Sequence, residues 1–581
     1  MTALNDVTDT FDTDPFDRTE VPVDACPLTT SAVLARAAAT VPDLEAVVCG
    51  DDRVTYAELK RRADSAAVVL RRMGVRAGDH VALCVGNGPR WVELFYAITG
   101  IGAVVVAVNT RYRSSDLAYV LNDSQASFLI TAPRVLSNDF LSTIRTIGPG
   151  PDSELPHLEL PYLASIVVLE DDSATEIEAG WTRWSEFSDT SVGSRPEEVV
   201  VEGDATDGAD GIAGDDAAVV SPASISLIQY TSGTTARPKG VLLTHRGMCA
   251  DAHFSAVRMG LRAGDRFHSV RPFFHVAGST LSVLSSAQSM ATLVTMERFS
   301  AGPALGILER ERCTHFSGND TIALMLLDHP DRPRRNLVLR GAWVAASAAV
   351  LKRVAEELGA SEVVAGYGQS EASPNVAQSA WWEPEHVRLA SAMLPQPGVE
   401  VRIWDDAATE QAPTGCKGEI QVRGWNVMSG YLNNPQATRN ACTSDGWLRT
   451  GDLGILDEDG RLTFVGRLKE MFRVGGENVS PVEIEEELLH HPAVRQAVVV
   501  GVPDPRLIEV PFAFISLSQG HSLEEAALVA WLRERVAGFK VPKYVRFMED
   551  FEELGMTASS KVQRGGLGRQ AQKYLEEMAA I

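Results

Sequence analysis

The N-terminal part of this chain alternates short apolar strands with helical segments, and this alternation most constrains its fold. Residues Tyr56 to Met73 place apolar side chains at helical spacing, and Gly74 follows where the helix would end. A predicted strand, His80 to Val85, comes next, then a helix that opens near Pro89 and a Val-rich strand from Ala103 to Asn109. Strands that alternate with helices predict a mainly parallel sheet covered on both faces, so we expect an α/β fold.

Length and charge limit the classes of function. With 581 residues the chain is too long for one ordinary domain, so we expect a large composite domain and a smaller one. Lys and Arg total 53 against 77 Asp and Glu, which gives a formal net charge of -24. This balance argues against nucleic acid or an anionic membrane surface as the main partner. Any anion that the protein binds must be held by a local cluster of donors.

Cysteine usage and the N-terminus indicate the compartment. The 7 Cys residues are scattered without a CxxC pair, which favours neither a zinc site nor a disulfide framework and fits a reducing interior. Residues 1–25 are acidic, lack a signal-peptide pattern and are predicted to be a disordered tail. The longest apolar stretch, Leu94 to Val108, is too short for a membrane span. We therefore expect a cytoplasmic protein without stable membrane insertion. The acidic, Gly-containing stretch at 148–222 is predicted to be a solvated insertion.

The run from Tyr230 to Gly240, YTSGTTARPKG, has the composition of a phosphate-binding loop. Gly233 would let the backbone approach an anion closely, and Lys239 adds positive charge. Hydroxyl and amide donors are supplied by Thr231, Ser232, Thr234 and Thr235. The run is not a P-loop, because the Gly-Lys-Ser/Thr ending is absent. Composition alone is also that of a surface turn, so the loop by itself leaves both interpretations open.

The same run resembles the signature loop of the adenylate-forming superfamily, which includes acyl-CoA synthetases, aryl-CoA ligases, luciferases and the adenylation domains of peptide synthetases. Ala236 stands where that family usually has Gly. Further segments resemble other motifs of the family in the same order: RPFFHVAG at 271–278, GYGQSE at 366–371, DGWLRTGD at 445–452 with GRLKE at 466–470, and GMTASSKVQR at 555–564. The resemblance implies a large adenylation domain at 26–466, a mobile C-terminal domain at 467–581 and an active site between them.

The resemblance also implies where the acid binds. His275 matches the residue beside the substrate carboxylate, and Gly366 matches a position of the pocket wall. Trp343 replaces a residue that is normally small or Pro, so it either shortens the pocket or caps the adenine site. The family's Gly-Val-Pro-Thr segment reads GNDT here, which puts Asn319 and Asp320 at usually apolar positions. Burying an unpaired carboxylate costs free energy. We therefore expect either that Asp320 faces water or that a cationic or hydrogen-bonding group pairs with it. We expect a polar or aromatic carboxylic acid, with an amino or hydroxyl group.

Nucleotide and metal contacts are implied by the same motifs. Tyr367 would lie against adenine, since a flat aromatic ring offers a purine a stacking surface. Magnesium prefers oxygen ligands, and Glu371 with Thr231 would help to hold it. The implied ATP-binding set after the loop is Tyr367, Gly368, Gln369, Ser370, Asp452 and Arg467, of which Asp452 accepts from the ribose hydroxyls.

The C-terminal motifs imply a moving domain with a catalytic cation. Lys469 matches the hinge, and Gly475 with Gly476 matches the segment that meets the pantetheine arm of coenzyme A. Lys561 matches the catalytic lysine, whose ammonium offsets like charges as a carboxylate approaches the α-phosphate. Ser560 replaces the usual Gly beside it, and Gly555 replaces Pro.

The implied reaction has two half-reactions, with ATP, Mg²⁺ and coenzyme A as cofactors. ATP and a carboxylate give an acyl-adenylate and pyrophosphate, and the thiol of coenzyme A then forms a thioester. One alternative is an offshoot that activates a carboxylate or nitrite and transfers it to a non-thiol acceptor such as an amine. Another is a nucleotide-binding scaffold without activity, against which the retained Lys239, Glu371, Asp452, Arg467 and Lys561 argue. The sequence leaves the identity of the acid and a homodimer open.

Overall fold

The structure, a computed structural model, describes residues 26–148, 155–169, 177, 180–188, 220–231, 237–474, 477–549, 551 and 564–579. Within these ranges the chain forms mixed α/β sheets in a large N-terminal unit, followed by a smaller α/β unit. The predicted fold class is therefore confirmed. The tail at 1–25 lies outside the described residues.

The helices cover the faces of these sheets. The α-helices have the bounds Thr30–Thr40, Tyr56–Arg72, Pro89–Gly100, Ser114–Asp123, Phe140–Ile147, Trp184–Ser188, His245–Met259, Val276–Gly278, Ser285–Ser289, Ala301–Arg310, Asp320–Leu327, Ala348–Glu357, Glu385–Leu389, Pro435–Ala441, Pro481–Leu489, Glu525–Arg533 and Arg564–Ala579. A π-helical turn spans Ser279–Leu284, and 3-10 turns span Arg332–Arg334, Ser370–Ala372, Leu468–Glu470 and Gly538–Lys540.

One large sheet carries the predicted substrate pocket. Its strands, in spatial order, are Leu394–Pro395, Asn375–Gln378, Glu362–Gly368, Gly341–Ala345, His315–Asn319, Arg266–Ser269, Thr292–Thr295, Glu45–Cys49 and Asp52–Thr55. The strands from Glu362–Gly368 to Glu45–Cys49 are parallel, and the outer strands are antiparallel. Since ligands bind beyond the carboxyl ends of parallel strands, one edge of this sheet is the expected site of binding.

A second large sheet carries the predicted phosphate loop. Its strands, in spatial order, are Gly430–Tyr431, Lys239–Thr244, Ile225–Thr231, Val104–Ala107, His80–Cys84, Phe128–Thr131, Ser165–Val168 and Thr182–Arg183. The first three are antiparallel and the rest are parallel. The loop therefore connects two strands of a hairpin at the point where the sheet changes from parallel to antiparallel.

The remaining strands form smaller sheets. An antiparallel sheet orders Glu410–Gln411, Val399–Asp405, Lys417–Gly424, Leu448–Leu456 and Leu462–Arg467, and a two-stranded ribbon joins Arg134–Val135 to Asn138–Asp139. The C-terminal sheet orders Glu477–Val479, Phe472–Val474, Ile508–Leu517 and Val494–Asp504, with Tyr544–Met548 parallel to Ile508–Leu517.

The longest apolar stretch of the sequence is part of the core. Helix Pro89–Gly100 buries nearly every side chain, and Trp91 stacks on Phe95 at 5.2 Å between ring centroids. A helix that is apolar on all sides is stable only when neighbours surround it, and here side chains of both large sheets belong to the same apolar cluster. Over the described ranges, no helix combines the length and apolarity needed to cross a bilayer.

The interpretation of 148–222 as a solvated insertion is corrected for the part that the structure describes. Ser165–Val168 is a strand parallel to Phe128–Thr131, and Ile166 is fully buried in it. Thr182–Arg183 adds a further strand at the edge of the same sheet. The acidic residues around these short apolar runs concealed them, because strands of two to four residues give little periodicity. The rest of the stretch lies outside the described residues.

Candidate active site

The phosphate loop is held at both ends by the register of its hairpin. Thr231 and Lys239 are directly paired in the antiparallel ladder between Ile225–Thr231 and Lys239–Thr244. This pairing places the first hydroxyl and the lysine of the motif side by side, as a phosphate-binding loop requires. The donors predicted between them, Ser232, Gly233, Thr234 and Thr235, lie outside the described residues.

A helix that no motif marked supports this hairpin. The Tyr119 hydroxyl, on helix Ser114–Asp123, donates to the carbonyl of Pro238 at 2.9 Å, and the Arg237 guanidinium lies 4.9 Å from the centre of the Tyr119 ring. The Tyr230 hydroxyl donates to Oδ2 of Asp123 at 2.7 Å. These contacts join positions more than 100 residues apart, which explains why sequence analysis missed them.

The predicted metal ligand lies beside the predicted phosphate lysine. The Tyr431 hydroxyl donates to Oε1 of Glu371 at 2.9 Å, and Nζ of Lys239 lies 5.0 Å from the centre of the Tyr431 ring. Burial and the neighbouring Glu371 carboxylate raise the pKa of Tyr431, so it stays a hydrogen-bond donor at neutral pH. Tyr431 was not predicted. Its strand pairs with Lys239–Thr244, and this pairing brings Glu371 and Lys239 to one place.

The segment between the adenine and metal positions is shaped by close backbone contacts. A Cβ at Gly368 would lie 1.8 Å from the carbonyl oxygen of Pro374, so only glycine fits. The amide of Gln369 donates to the same carbonyl at 2.8 Å, and Ser370 begins the 3-10 turn that ends at Ala372. Within the described ranges, Nε2 of Gln369 is buried without a hydrogen-bond partner. A buried donor of this kind is satisfied when a ligand oxygen reaches it.

The predicted ribose carboxylate is fixed by two neighbours. The Tyr367 hydroxyl donates to Oδ2 of Asp452 at 2.9 Å, and Nε of Arg467 lies 3.2 Å from Oδ1. Asp452 and Arg467 are register partners in adjacent antiparallel strands, which explains why both motifs converge. Asp452 is buried, whereas the Arg467 side chain is 44% exposed. The Tyr367 ring, predicted for adenine, stacks on Phe464 at 5.5 Å, and burial with the Asp452 charge raises its pKa.

The pocket residues lie at the carboxyl edge of the nine-stranded sheet. Nδ1 of His275 accepts from the amide of Ala277 at 3.2 Å and caps the short helix that follows. Trp343 lies directly over Gly366, where a Cβ would come within 2.2 Å of its indole ring. Of the two roles suggested for Trp343, this contact favours shortening of the pocket.

The polar pair of the GNDT segment has local partners. Oδ1 of Asn319 accepts from the amide of Ile322 at 2.9 Å, which caps helix Asp320–Leu327. Asp320 is exposed and accepts from the amide of Thr321 at 2.8 Å. Of the two alternatives for Asp320, the structure therefore places it facing outward. Helix capping by Asn319 and the hydrogen bond that Asp320 accepts from the next amide give both residues a structural reason that does not depend on a polar substrate.

The hinge position is exposed, and the C-terminal unit contacts the strand before it. Lys469 lies in the 3-10 turn Leu468–Glu470. The Ser480 hydroxyl donates to the carbonyl of Val465 at 2.8 Å, and a Cβ at Gly466 would come within 2.6 Å of that hydroxyl oxygen. Lys561 and the pair Gly475 and Gly476 lie outside the described residues, so their roles stay predictions.

Comparison with known proteins decides the family. A family model for AMP-binding enzymes matches residues 34–432, and a model for the AMP-binding enzyme C-terminal domain matches residues 483–561. The chain belongs to the AMP-binding enzyme family. It is an AMP-forming ligase of the acyl-CoA synthetase type, and members of the family use ATP, Mg²⁺ and coenzyme A.

Relatives match the chain almost from end to end. A feruloyl-CoA synthase from Amycolatopsis sp is 33% identical over 92% of this chain and 97% of that protein. A long-chain-fatty-acid–CoA ligase from Bacillus subtilis is 31% identical over 92% of this chain and 93% of that protein. The acids in these two names differ widely, so family membership alone does not identify the acid.

Solved structures share the fold. The anthranilate CoA ligase AuaEII in complex with anthranoyl-AMP has a TM-score of 0.79 at 26% identity, and the match covers 95% of this chain and 99% of that one. The amide bond synthetase McbA from Marinactinospora thermotolerans has a TM-score of 0.75 at 26% identity, covering 93% and 99%.

Proposed function

We propose that this AMP-forming ligase activates a short polar or aromatic carboxylic acid between the two large sheets and passes the acyl group to coenzyme A. The observation that carries the proposal is the convergence of two clusters. Lys239, Tyr431 and Glu371 meet through the pairing of short strands, and Asp452 meets Tyr367 and Arg467 through strand register. The first cluster suits a phosphate with its metal, and the second suits a ribose.

The donor and acceptor chemistry of these clusters fits ATP. Asp452 is buried, and its carboxylate oxygens can accept hydrogen bonds that ribose hydroxyls donate. The buried Nε2 of Gln369 lacks a partner over the described ranges, and Gly368 lets backbone approach closely. Glu371 offers the hard oxygen ligand that Mg²⁺ prefers. When bound, Mg²⁺ neutralises phosphate charge, and Lys239 adds a protein cation at the same place.

Residues of this chain orient the proposed metal ligand and supply positive charge to the reacting groups. Tyr431 holds the Glu371 carboxylate by a hydrogen bond, so its oxygens point in a fixed direction. Arg467 lies against Asp452 but is half exposed, so it can also reach a phosphate. Lys561 would supply a positive charge to the approaching carboxylate and α-phosphate. After adenylate formation, rotation about Lys469 would withdraw Lys561 and bring residues 475–476 to coenzyme A.

The position of Trp343 supports a short pocket. Its ring fills the space above Gly366, where a longer acyl chain would otherwise extend. An aromatic wall favours a flat acid, because offset stacking adds to burial. A cytoplasmic location and a homodimer belong to the same proposal, and light scattering after gel filtration would test the latter.

The experiment that tests the function is pyrophosphate release from ATP, dependent on Mg²⁺, across aliphatic, aromatic and amino-substituted acids, with and without coenzyme A. Products are identified by mass. We expect release with a short or aromatic carboxylate and a thioester when coenzyme A is present. Release that depends on no acid would contradict the proposal.

A second candidate is transfer to an amine. It is supported by the similarity to the amide bond synthetase McbA and by the replacement of Gly by Ser560 beside Lys561. Adding amines, and nitrite in place of the acid, to the same assay distinguishes it. An amide or diazo product, with release that ignores coenzyme A, would favour this candidate over the thioester.

A further inference from the structure

One buried cation in the pocket region has no counter-charge among the residues that the structure describes. Arg271 is 8% exposed and follows strand Arg266–Ser269, four residues before His275. Its Nη2 donates to the carbonyl of Gly318 at 3.2 Å, and its guanidinium carbon lies 4.1 Å from the centre of the Trp343 ring. Within the described ranges, its Nη1 is buried without any hydrogen-bond partner.

The strand order places Arg271 in the pocket wall. Arg266–Ser269, His315–Asn319 and Gly341–Ala345 are neighbouring parallel strands, with Ser269 paired to Ser317 and Ser317 paired to Trp343. Their carboxyl ends therefore lie along one edge of the sheet, where ligands bind in α/β folds. Arg271 extends beyond this edge, between the carbonyl of Gly318 and the indole that limits the pocket.

Another buried arginine, Arg258, shows how carbonyl acceptors can satisfy a buried guanidinium in this protein. Arg258 has the same 8% exposure but donates to three carbonyls, those of Gln378, Leu394 and Pro395, at 2.7 to 2.9 Å. Among the described residues Arg271 makes one such bond, and burial lowers its pKa to about 9. Burying a charge without a partner is costly, so an anion that completes Arg271 would gain a charge-assisted hydrogen bond in a site already desolvated.

The support beneath Arg271 is itself fixed. Nε1 of Trp343 donates to Oε1 of Gln378 at 3.2 Å, and Nε2 of Gln378 donates to the carbonyl of Ser255 at 3.2 Å. These bonds hold the plane of the indole on which the guanidinium lies. A planar guanidinium held in this way presents its fork in one direction, which suits the two oxygens of a carboxylate.

We infer that Arg271 binds a second carboxylate of the substrate, one that is not adenylated, so that the acid activated by this enzyme is a dicarboxylate. The inference rests on the proposed function and names the substrate class of the same site. Gln378 acts as a positioning residue, because it touches Trp343 rather than the substrate.

The test compares diacids with their monomethyl esters, which keep size and one carboxylate but lose the second charge. Pyrophosphate release is measured for aliphatic and benzene dicarboxylates and for each half-ester, and kcat/KM is expressed as the ratio of diacid to half-ester. We expect the best diacid to exceed its half-ester by about tenfold or more. In Arg271→Met this ratio should fall to about one, and in Arg271→Lys it should be intermediate, because a point charge lacks the fork.

The matched control is Arg258→Met, at a buried arginine that donates to three protein carbonyls. It should lower thermal stability while leaving the ratio unchanged. A wild-type ratio near one for every diacid, or a ratio that survives Arg271→Met, would overturn the inference and leave the proposed function standing.

If Arg271→Met fails to fold, the melting temperature of the wild-type protein provides a second test. A diacid should raise this temperature more than its half-ester does. Equal shifts would overturn the inference. Release that depends on no acid would instead contradict the proposed function.

Discussion

The hydroxyl of Tyr431 donates a hydrogen bond to Oε1 of Glu371 at 2.9 Å, although the two residues are 60 positions apart. No motif pointed to Tyr431, yet it fixes the carboxylate predicted to hold magnesium. A hydrogen bond to a charged group contributes about 1.5–3 kcal/mol. We therefore expect Tyr431→Phe to raise the Mg²⁺ concentration needed for half-maximal pyrophosphate release by about tenfold. Tyr162→Phe, at an exposed position, is the control, and equal Mg²⁺ dependence in both variants would contradict the role.

The carboxylate of Asp452 should determine how strongly the enzyme prefers ATP over 2′-deoxy-ATP. If its oxygens accept from both ribose hydroxyls, 2′-deoxy-ATP loses one of these bonds, and the wild-type enzyme should prefer ATP over it. In Asp452→Asn the Tyr367 hydroxyl keeps an acceptor, but the charge that strengthens the ribose bonds is gone. We expect kcat/KM for ATP to fall about tenfold or more and the preference over 2′-deoxy-ATP to shrink.

The control for this experiment is Asp445→Asn, which removes an exposed carboxylate of the same motif that pairs with Arg402. It should change neither value. A preference for ATP that persists in Asp452→Asn would remove Asp452 from the ribose site.

Lys561 should separate the two half-reactions. Under the proposed function, the charge of Lys561 is needed only when a carboxylate meets the α-phosphate, so Lys561→Ala should abolish pyrophosphate release. The same variant should still form thioester from a supplied acyl-adenylate and coenzyme A. Lys573→Ala, on the exposed face of the last helix, is the control. Equal loss of both half-reactions would rule out the two-conformation mechanism.

Trp343 and Gly366 should determine how long an acid the pocket accepts. Trp343→Ala empties the space above Gly366, so activity on longer or bulkier acids should rise relative to short ones. Gly366→Ala places a methyl group where the indole lies, 2.2 Å away, and should lower activity on all acids by displacing the ring. Trp343→Phe keeps an aromatic wall and is the intermediate case. An unchanged length profile in Trp343→Ala would place the acid elsewhere.

Stability should fall on mild acidification. Burial lowers the pKa of His268, His315 and His253 to about 4, against about 6.5 in the unfolded chain. Between about pH 4 and about pH 6.5 these three histidines are mostly protonated in the unfolded chain and mostly neutral in the folded one. Stability is therefore full above about pH 6.5 and decreases as pH falls toward 4, by about 1.4 kcal/mol per pH unit for each histidine.

Calorimetric melting temperatures from about pH 7 to about pH 5 test this dependence. His268→Gln removes one titrating ring while keeping an N–H donor for the carbonyl of Val294, and should make the decrease shallower. His386→Gln, at an exposed position, should leave it unchanged. A steeper decrease in His268→Gln would contradict the assignment.

Much of the fold followed from local pattern. The helix predicted from Tyr56 to Met73 is observed as Tyr56–Arg72, since Thr55 caps it through the amide of Glu58 and its apolar spacing matches a helix. Asp459 and Gly460, a pair typical of tight hairpin turns, lie between the antiparallel strands Leu448–Leu456 and Leu462–Arg467. The short strand Ser165–Val168 was missed, because its pairing with Phe128–Thr131 is set by tertiary contacts.

The sequence by itself determined the family, the order of its motifs and the chemical types at the site, because residue types and their spacing along the chain can be read without knowing the fold. Only the tertiary structure decided which of them meet. Strand register joined Asp452 to Arg467, and sheet pairing brought Tyr431 to Glu371. Asn319 caps a helix and Asp320 accepts from the next amide, so both have a local role, and in the part of the chain that the structure describes Arg271 has one protein acceptor. Contacts between distant positions depend on packing and register, which no local pattern encodes.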